Sequence, residues 1–288
     1  MKRLALILAA LFATLLLCSL AAGELLTRPA RQAIGAPPPD LHAEAVQLHD
    51  ARGQRVAGWF VPGRAGQGGV LLLHGVRANR LQMLDRARWL QREGIASLLV
   101  DLPAHGESDG ERITFGRREA LGADAALAWL RARLPGERVG AIGVSLGGAS
   151  LLFATRQPEL DALVLESVYP TITDAVQDRL ALRLGRAGVW VAPLLLMQIP
   201  LRLEFGVQDL RPIDAMTRVR APLLVASGTL DAHTRWPETE ALFAAAPAPK
   251  SLWPVAGAAH VDLHGFDPAA YEARLGPWLH AQLTKPRG

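Results

Sequence analysis

Five residues, Gly143-Val144-Ser145-Leu146-Gly147, leave the backbone little choice. They follow an apolar run over residues 138–143 and precede Gly148-Ala149-Ser150-Leu151-Leu152-Phe153-Ala154, with Pro158 blocking further extension. The first run reads as a buried strand and the second as a helix. A strand that turns this sharply into a helix strains the apical residue, and a side chain two places away on either side would collide. Gly143 and Gly147 supply the room. Ser145 is thereby lifted to the carboxyl edge of a sheet.

The rest of the chain supplies that sheet. Residues 43–48 and 55–61 flank Asp50-Ala51-Arg52-Gly53, the turn of a β-hairpin. Short apolar runs at 69–73, 96–100, 162–165, 222–226 and 250–255 read as strands, most of them buried on both faces. Between them, Asn79 can cap a helix whose Leu81, Leu84, Ala87 and Leu90 share a face, and further helices are predicted over about 118–134 and 268–283. Strand and helix alternate, which predicts an α/β fold with a mostly parallel central sheet, helices on both faces and an antiparallel N-terminal hairpin. In such sheets ligands bind at the carboxyl ends of the strands.

A serine hydroxyl near neutral pH needs a base, and the base needs an orienting carboxylate. Ser227-Gly228-Thr229-Leu230-Asp231 follows one late strand and Gly257-Ala258-Ala259-His260 follows the last, so Ser145, Asp231 and His260 arrive at one edge in the order nucleophile, acid, histidine. Asp262 competes with Asp231, and His233 and His264 compete with His260; position directly after a strand favours Asp231 and His260. The oxyanion donors expected are the backbone N–H groups of Leu146 and, after His74-Gly75, of Val76. His74, His105, Asp101 and Asp109 are expected to hold loops. This chemistry calls for no cofactor and no metal.

With HG at 74–75, DxxxHGxS from Asp101, GxSxG at 143–147, GxxD ending at Asp231 and GxxH ending at His260, the sequence resembles the α/β-hydrolase superfamily over roughly two thirds of its length. It looks closest to the serine aminopeptidase-like branch, which includes many esterases and acyl hydrolases. His74-Gly75-Val76-Arg77 departs from the HGGG of the hormone-sensitive-lipase group, so resemblance to that group is not supported.

Met1-Lys2-Arg3 heads an apolar stretch from Leu4 to Gly23, long enough to span a bilayer. Residues 1–23 are expected to be a signal anchor with the domain on the non-cytoplasmic side; the alternative is a signal peptide cut near Ala21-Ala22-Gly23 and a secreted product. Residues 24–40, with Pro29 and Pro37-Pro38-Pro39, read as a linker, and 41–288 as the hydrolase domain. A net charge of +4, from 31 basic against 27 acidic residues without a like-charge block, argues against nucleic acid binding. The one cysteine, Cys18, permits no internal disulfide.

Residues 168–214 leave the strand–helix repeat and are expected to form a small helical cap. Its Trp190, Leu194, Leu195, Leu196 and Met197 are candidates for an acyl-binding pocket, or equally for packing onto the sheet. A further expectation has Arg179, Arg183 and Arg186 resting on anionic headgroups. The functional expectation is hydrolysis of a carboxylic ester, on a small-molecule or lipid-like acyl substrate, through an acyl-enzyme. The alternatives are an aminopeptidase or amidase, with Glu107, Glu166 or Asp174 holding the substrate amine, and a non-catalytic binding protein on the same fold.

Overall fold

The computed structural model describes residues 1–284, so the last four residues of the expected 41–288 domain lie outside the described residues. Eight strands form one sheet: β1 (Glu44–His49), β2 (Arg55–Val61), β3 (Gly69–Leu73), β4 (Ala96–Val100), β5 (Val139–Val144), β6 (Ala162–Glu166), β7 (Leu223–Gly228) and β8 (Lys250–Val255). Their spatial order is β8-β7-β6-β5-β3-β4-β2-β1. The predicted hairpin is β1–β2; β2 also pairs antiparallel with β4, and every other pairing is parallel.

The wholly apolar strands are explained by what covers them. Successive side chains point to opposite faces. Leu71, Leu73, Ala141, Leu163 and Val225 join one core cluster, and Val70, Leu72, Ile142, Val164 and Leu224 join the other. The first face is covered by α3 (Glu119–Arg133), α4 (Leu146–Phe153) and α8 (Trp236–Ala245). The second is covered by α2 (Leu84–Glu93) and α9 (Pro268–Leu283). Each fully buried Leu or Val contributes about 1.5–3 kcal/mol on this account.

Helix α2 differs from expectation in phase. Asn79 does cap, accepting from the Leu81 amide at 3.0 Å, but Arg80–Met83 form a tighter turn before the α-helix begins. That turn rotates the buried face to Met83, Arg86, Ala87, Trp89 and Leu90, leaving Leu81 exposed and Leu84 half-buried.

The N-terminal helix, α1 (Lys2–Thr27), runs past residue 23. Its first seventeen side chains are exposed, whereas Ser19, Gly23 and Thr27, spaced one turn apart, are buried. The stretch 24–40, expected as a linker, is fastened to the domain: Ala30–Arg31 pair in parallel with His105–Gly106, and Glu107 accepts from the Ile34 and Gly35 amides at 2.9 and 3.0 Å. Proline prevents a long strand there, but side-chain acceptors satisfy the backbone instead.

Between β6 and β7 lie α5 (Ile172–Leu184), α6 (Gly188–Leu196) and α7 (Ile199–Leu203). Gly185 ends α5 with φ +58°, and Pro200 sits in the first turn of α7. A stretch apolar enough by composition to cross a membrane is thereby broken into short pieces.

Candidate active site

Ser145 sits at φ 49°, ψ −108°, between the end of β5 and the start of α4. This conformation is costly for a residue with a side chain and is held by its surroundings. The Ser145 amide donates to the Glu166 carbonyl oxygen at 2.8 Å, extending the β5–β6 ladder to the apex. The flanking glycines answer to contacts: a Cβ on Gly143 would lie 2.6 Å from the Gly148 nitrogen, and one on Gly147 would lie 2.4 Å from the Leu73 carbonyl oxygen.

Asp231 follows β7 and His260 follows β8, and the two meet. His260 Nδ1 lies 2.7 Å from Asp231 Oδ2, while Asp231 Oδ1 accepts from the backbone amides of His233 and Thr234 at 2.8 and 2.9 Å. Burial alone would raise the Asp231 carboxyl; the His260 ring and the two amides outweigh it and hold the acid below its ordinary value. His260, Ser145 and Val76 line one cavity of about 280 Å³, together with His233, Arg179 and Asp262. The Leu146 side chain is buried in the core, and its amide opens α4 with no preceding helical turn to accept it. Gln82 fixes the opposite loop by accepting from the Gly75 amide at 2.7 Å.

Two of the three competitors are engaged elsewhere. Asp262 Oδ1 pairs with Arg86 Nη1 at 2.6 Å, and His264 bonds Glu272 at 3.1 Å while stacking on Trp89. The His233 ring lies 5.1 Å from that of His260, and burial, followed by the Arg179 charge, lowers its pKa. Donor atoms of Asp231, His233 and His260 fall within 4.8 Å of one another, a spacing a metal ion would tolerate. The Asp231 oxygens, however, already accept the three hydrogen bonds described.

His74 and His105 hold loops, as the sequence suggested. His74 Nε2 accepts from the Leu102 amide at 3.0 Å, and the Nδ1 atoms of His74 and His105 contact the Gly75 and Pro103 carbonyls at 2.7 and 2.9 Å. Asp101 accepts from the Arg80 and Glu107 amides, each at 2.8 Å, and pairs with the Arg80 guanidinium.

The structure does not bring the proposed acyl-pocket residues to Ser145. Trp190 is 85% exposed and Met197 69% exposed, Leu194 is half-buried, and Leu195 lines a separate small cavity beside Gly23 and Ile199. Arg179, expected against headgroups, lines the cavity, whereas Arg183 and Arg186 are exposed.

Sequence reasoning passed over Gln82 and Arg86, and gave Arg179 a place against headgroups rather than in the cavity. Arg86 had a readable signal: it falls between Met83 and Leu90 on the buried stripe of α2, where an arginine requires acidic partners. It finds Glu166 at 2.6 Å and Asp262 at 2.6 Å, and donates to the Tyr271 hydroxyl at 3.1 Å.

Strand order and elbow together place this chain among the α/β-hydrolases. Residues 65–208, half of the chain, match the family described as Serine aminopeptidase, S33, and the chain belongs to that family. The match includes Ser145 and ends before Asp231 and His260. The uncharacterized protein YfhR of Salmonella typhi is 23% identical over 242 residues, 78% of this chain and 77% of its own. Among solved structures, the Pyrococcus furiosus esterase Pf2001 superposes with TM-score 0.73 at 20% identity, over 90% of this chain and 98% of its own. The esterase EaEST of Exiguobacterium antarcticum does so with TM-score 0.61 at 17% identity, over 82% and 99%.

Proposed function

We propose that the protein is a serine hydrolase of carboxylic esters acting through an acyl-enzyme. One observation carries this reading: the imidazole hydrogen-bonded to Asp231 lines the same cavity as a serine on a strained elbow. His260 Nε2 takes the Ser145 proton as Oγ attacks the carbonyl carbon, then returns it to the leaving alcohol; water repeats the sequence to release the acid. Asp231 fixes the tautomer through Nδ1 and stabilises the imidazolium. The Leu146 and Val76 amides receive the oxyanion. The structural neighbours described as esterases support the ester over the amide.

A second support is the state of the acids. An aminopeptidase needs a free carboxylate for the substrate amine. Glu166 is buried against Arg86 and Tyr271, Glu107 is bound by Arg80 and two amides, and Asp174 closes the first turn of α5 with Thr171 at 2.6 Å. None of the three lines the cavity, and Asp262, which does, is paired.

The exposed part of α1 serves as an uncleaved membrane anchor, with Lys2 and Arg3 cytoplasmic and the domain on the other side. What supports retention is the docking of its second half. Gln198 Nε2 donates to Ser19 Oγ at 2.9 Å, Arg202 Nη2 donates to the Leu20 carbonyl at 2.9 Å, and Glu24 pairs with Arg112 at 3.1 Å.

Labelling by a fluorophosphonate probe, lost in Ser145→Ala, tests the nucleophile. p-Nitrophenyl esters run beside aminoacyl anilides test the bond. A folded, unlabelled protein overturns the enzyme reading, and faster anilide cleavage overturns the ester.

A further inference from the structure

Arg179 stands in the middle of α5 and lines the cavity that contains Ser145 and His260. Its one hydrogen bond among the described residues runs from Nη1 to the Ala175 carbonyl oxygen at 2.9 Å, and no carboxylate lies within 4.0 Å. Neighbouring acids are all claimed. Asp178 takes Arg235 at 2.8 Å, Asp231 takes His260, and Asp262 takes Arg86. The fully buried arginines among the described residues are ion-paired: Arg86 to Glu166 and Asp262, Arg80 to Asp101 and Glu107.

A half-buried guanidinium whose remaining N–H groups have no protein acceptor is left to bind water or a ligand. Burial lowers its pKa despite the nearby carboxylates of Asp231, Asp178 and Glu238. The planar fork of donors matches a carboxylate or a phosphate. At about 280 Å³, the cavity suits a compact substrate rather than a long acyl chain.

Resting on the serine-hydrolase reading above, we propose that Arg179 is a specificity-determining residue and that the ester cleaved at Ser145 carries an anionic group, a carboxylate or a phosphate, which pairs with this guanidinium. The anion is bound in the ground state and retained through acyl transfer, so the preference falls in kcat/KM. No step of the chemistry passes through Arg179.

The test compares matched esters on the full-length protein in detergent: 4-acetoxybenzoate against 4-acetoxybenzamide for the carboxylate, and 4-acetoxyphenyl phosphate against 4-acetoxyanisole for the phosphate. The wild-type protein is expected to favour at least one anionic member by about tenfold or more in kcat/KM. In Arg179→Gln the anionic-to-neutral ratio falls toward unity, and Arg179→Lys keeps part of it, since the charge remains and the fork is lost. Equal wild-type rates within both pairs, or a ratio that survives in Arg179→Gln, overturn the proposal. If the protein labels with fluorophosphonate yet turns over neither pair, protection from labelling by 4-hydroxybenzoate against 4-hydroxybenzamide and by phenyl phosphate against anisole gives the same ratios. Absence of labelling at Ser145 removes the serine-hydrolase reading and this one with it; labelling without anion preference removes this one alone.

Discussion

Arg86 reaches Asp262 across 2.6 Å, and Asp262 stands two residues beyond His260 in the loop after β8. The same guanidinium holds Glu166 at the end of β6, so a buried cation on α2 ties down the loop that carries the imidazole. Removing one member of a buried ion cluster leaves uncompensated charge. Arg86→Leu is expected to lower the unfolding free energy by about 3–5 kcal/mol. Urea titration checks this, and the double variant Arg86→Leu, Glu166→Leu should recover part of the loss because the stranded carboxylate is gone.

Ser145 holds a backbone conformation that glycine adopts freely, at φ 49° and ψ −108°. Ser145→Gly should therefore exceed Ser145→Ala in stability by about 1 kcal/mol, with both losing fluorophosphonate labelling. Thermal unfolding of the two variants side by side decides it; equal melting temperatures would mean that the elbow stores no strain.

Gly147 tests the opposite constraint. A methyl there would meet the Leu73 carbonyl oxygen at 2.4 Å, and backbone cannot swing aside as a side chain does. Gly147→Ala should cost about 1–3 kcal/mol and reduce kcat for p-nitrophenyl acetate, because relief requires α4 to shift and with it the Leu146 amide. An unaltered kcat would separate that amide from the chemistry.

Two buried histidines set an acid limit. Burial lowers His74 from 6.5 to about 4, and burial with its neighbour His74 lowers His105 from 6.5 to about 3. Between those values and 6.5 the unfolded chain binds protons that the folded chain refuses. Stability is then fully present above pH 6.5 and declines as pH falls toward 4, by about 1.4 kcal/mol per pH unit for each histidine. Urea midpoints across pH 4–7 measure the slope, and His105→Gln should reduce it by about half. A flat profile would contradict the burial.

Much of the fold was legible because its signals are local. Apolar runs such as Gly69–Leu73 and Val139–Val144 admit one environment, and Gly143 and Gly147 admit one kind of turn. Asp231 and His260 were readable from their places after strands, and the structure joins them. What escaped depends on contacts between distant segments. Arg179 looked like one of three basic residues on the cap, and only the fold turns it into the cavity while Arg183 stays outside. Trp190 and Met197 looked like pocket residues because apolar character does not say which side of a short helix meets the protein. The tight turn at Arg80–Met83 rotated α2 and exposed Leu81, a phase change that no periodicity count registers.

The docking of α1 has a mechanical result. Ser19, Gly23 and Thr27 lock the helix to α6, α7 and the segment around Arg112, so no free joint separates the exposed apolar half from the globular body. With α1 as the anchor proposed above, a domain borne on this rigid mast keeps one height and one tilt above a bilayer. Trp190 and Leu201, 85% and 84% exposed, belong to α6 and α7, the helices that hold α1. On the proposed anchor, encounter with substrate becomes a search in a plane at fixed orientation, and lengthening the mast by one helical turn below residue 19 would raise the mouth of the cleft by about 5.4 Å without touching a single active-site atom.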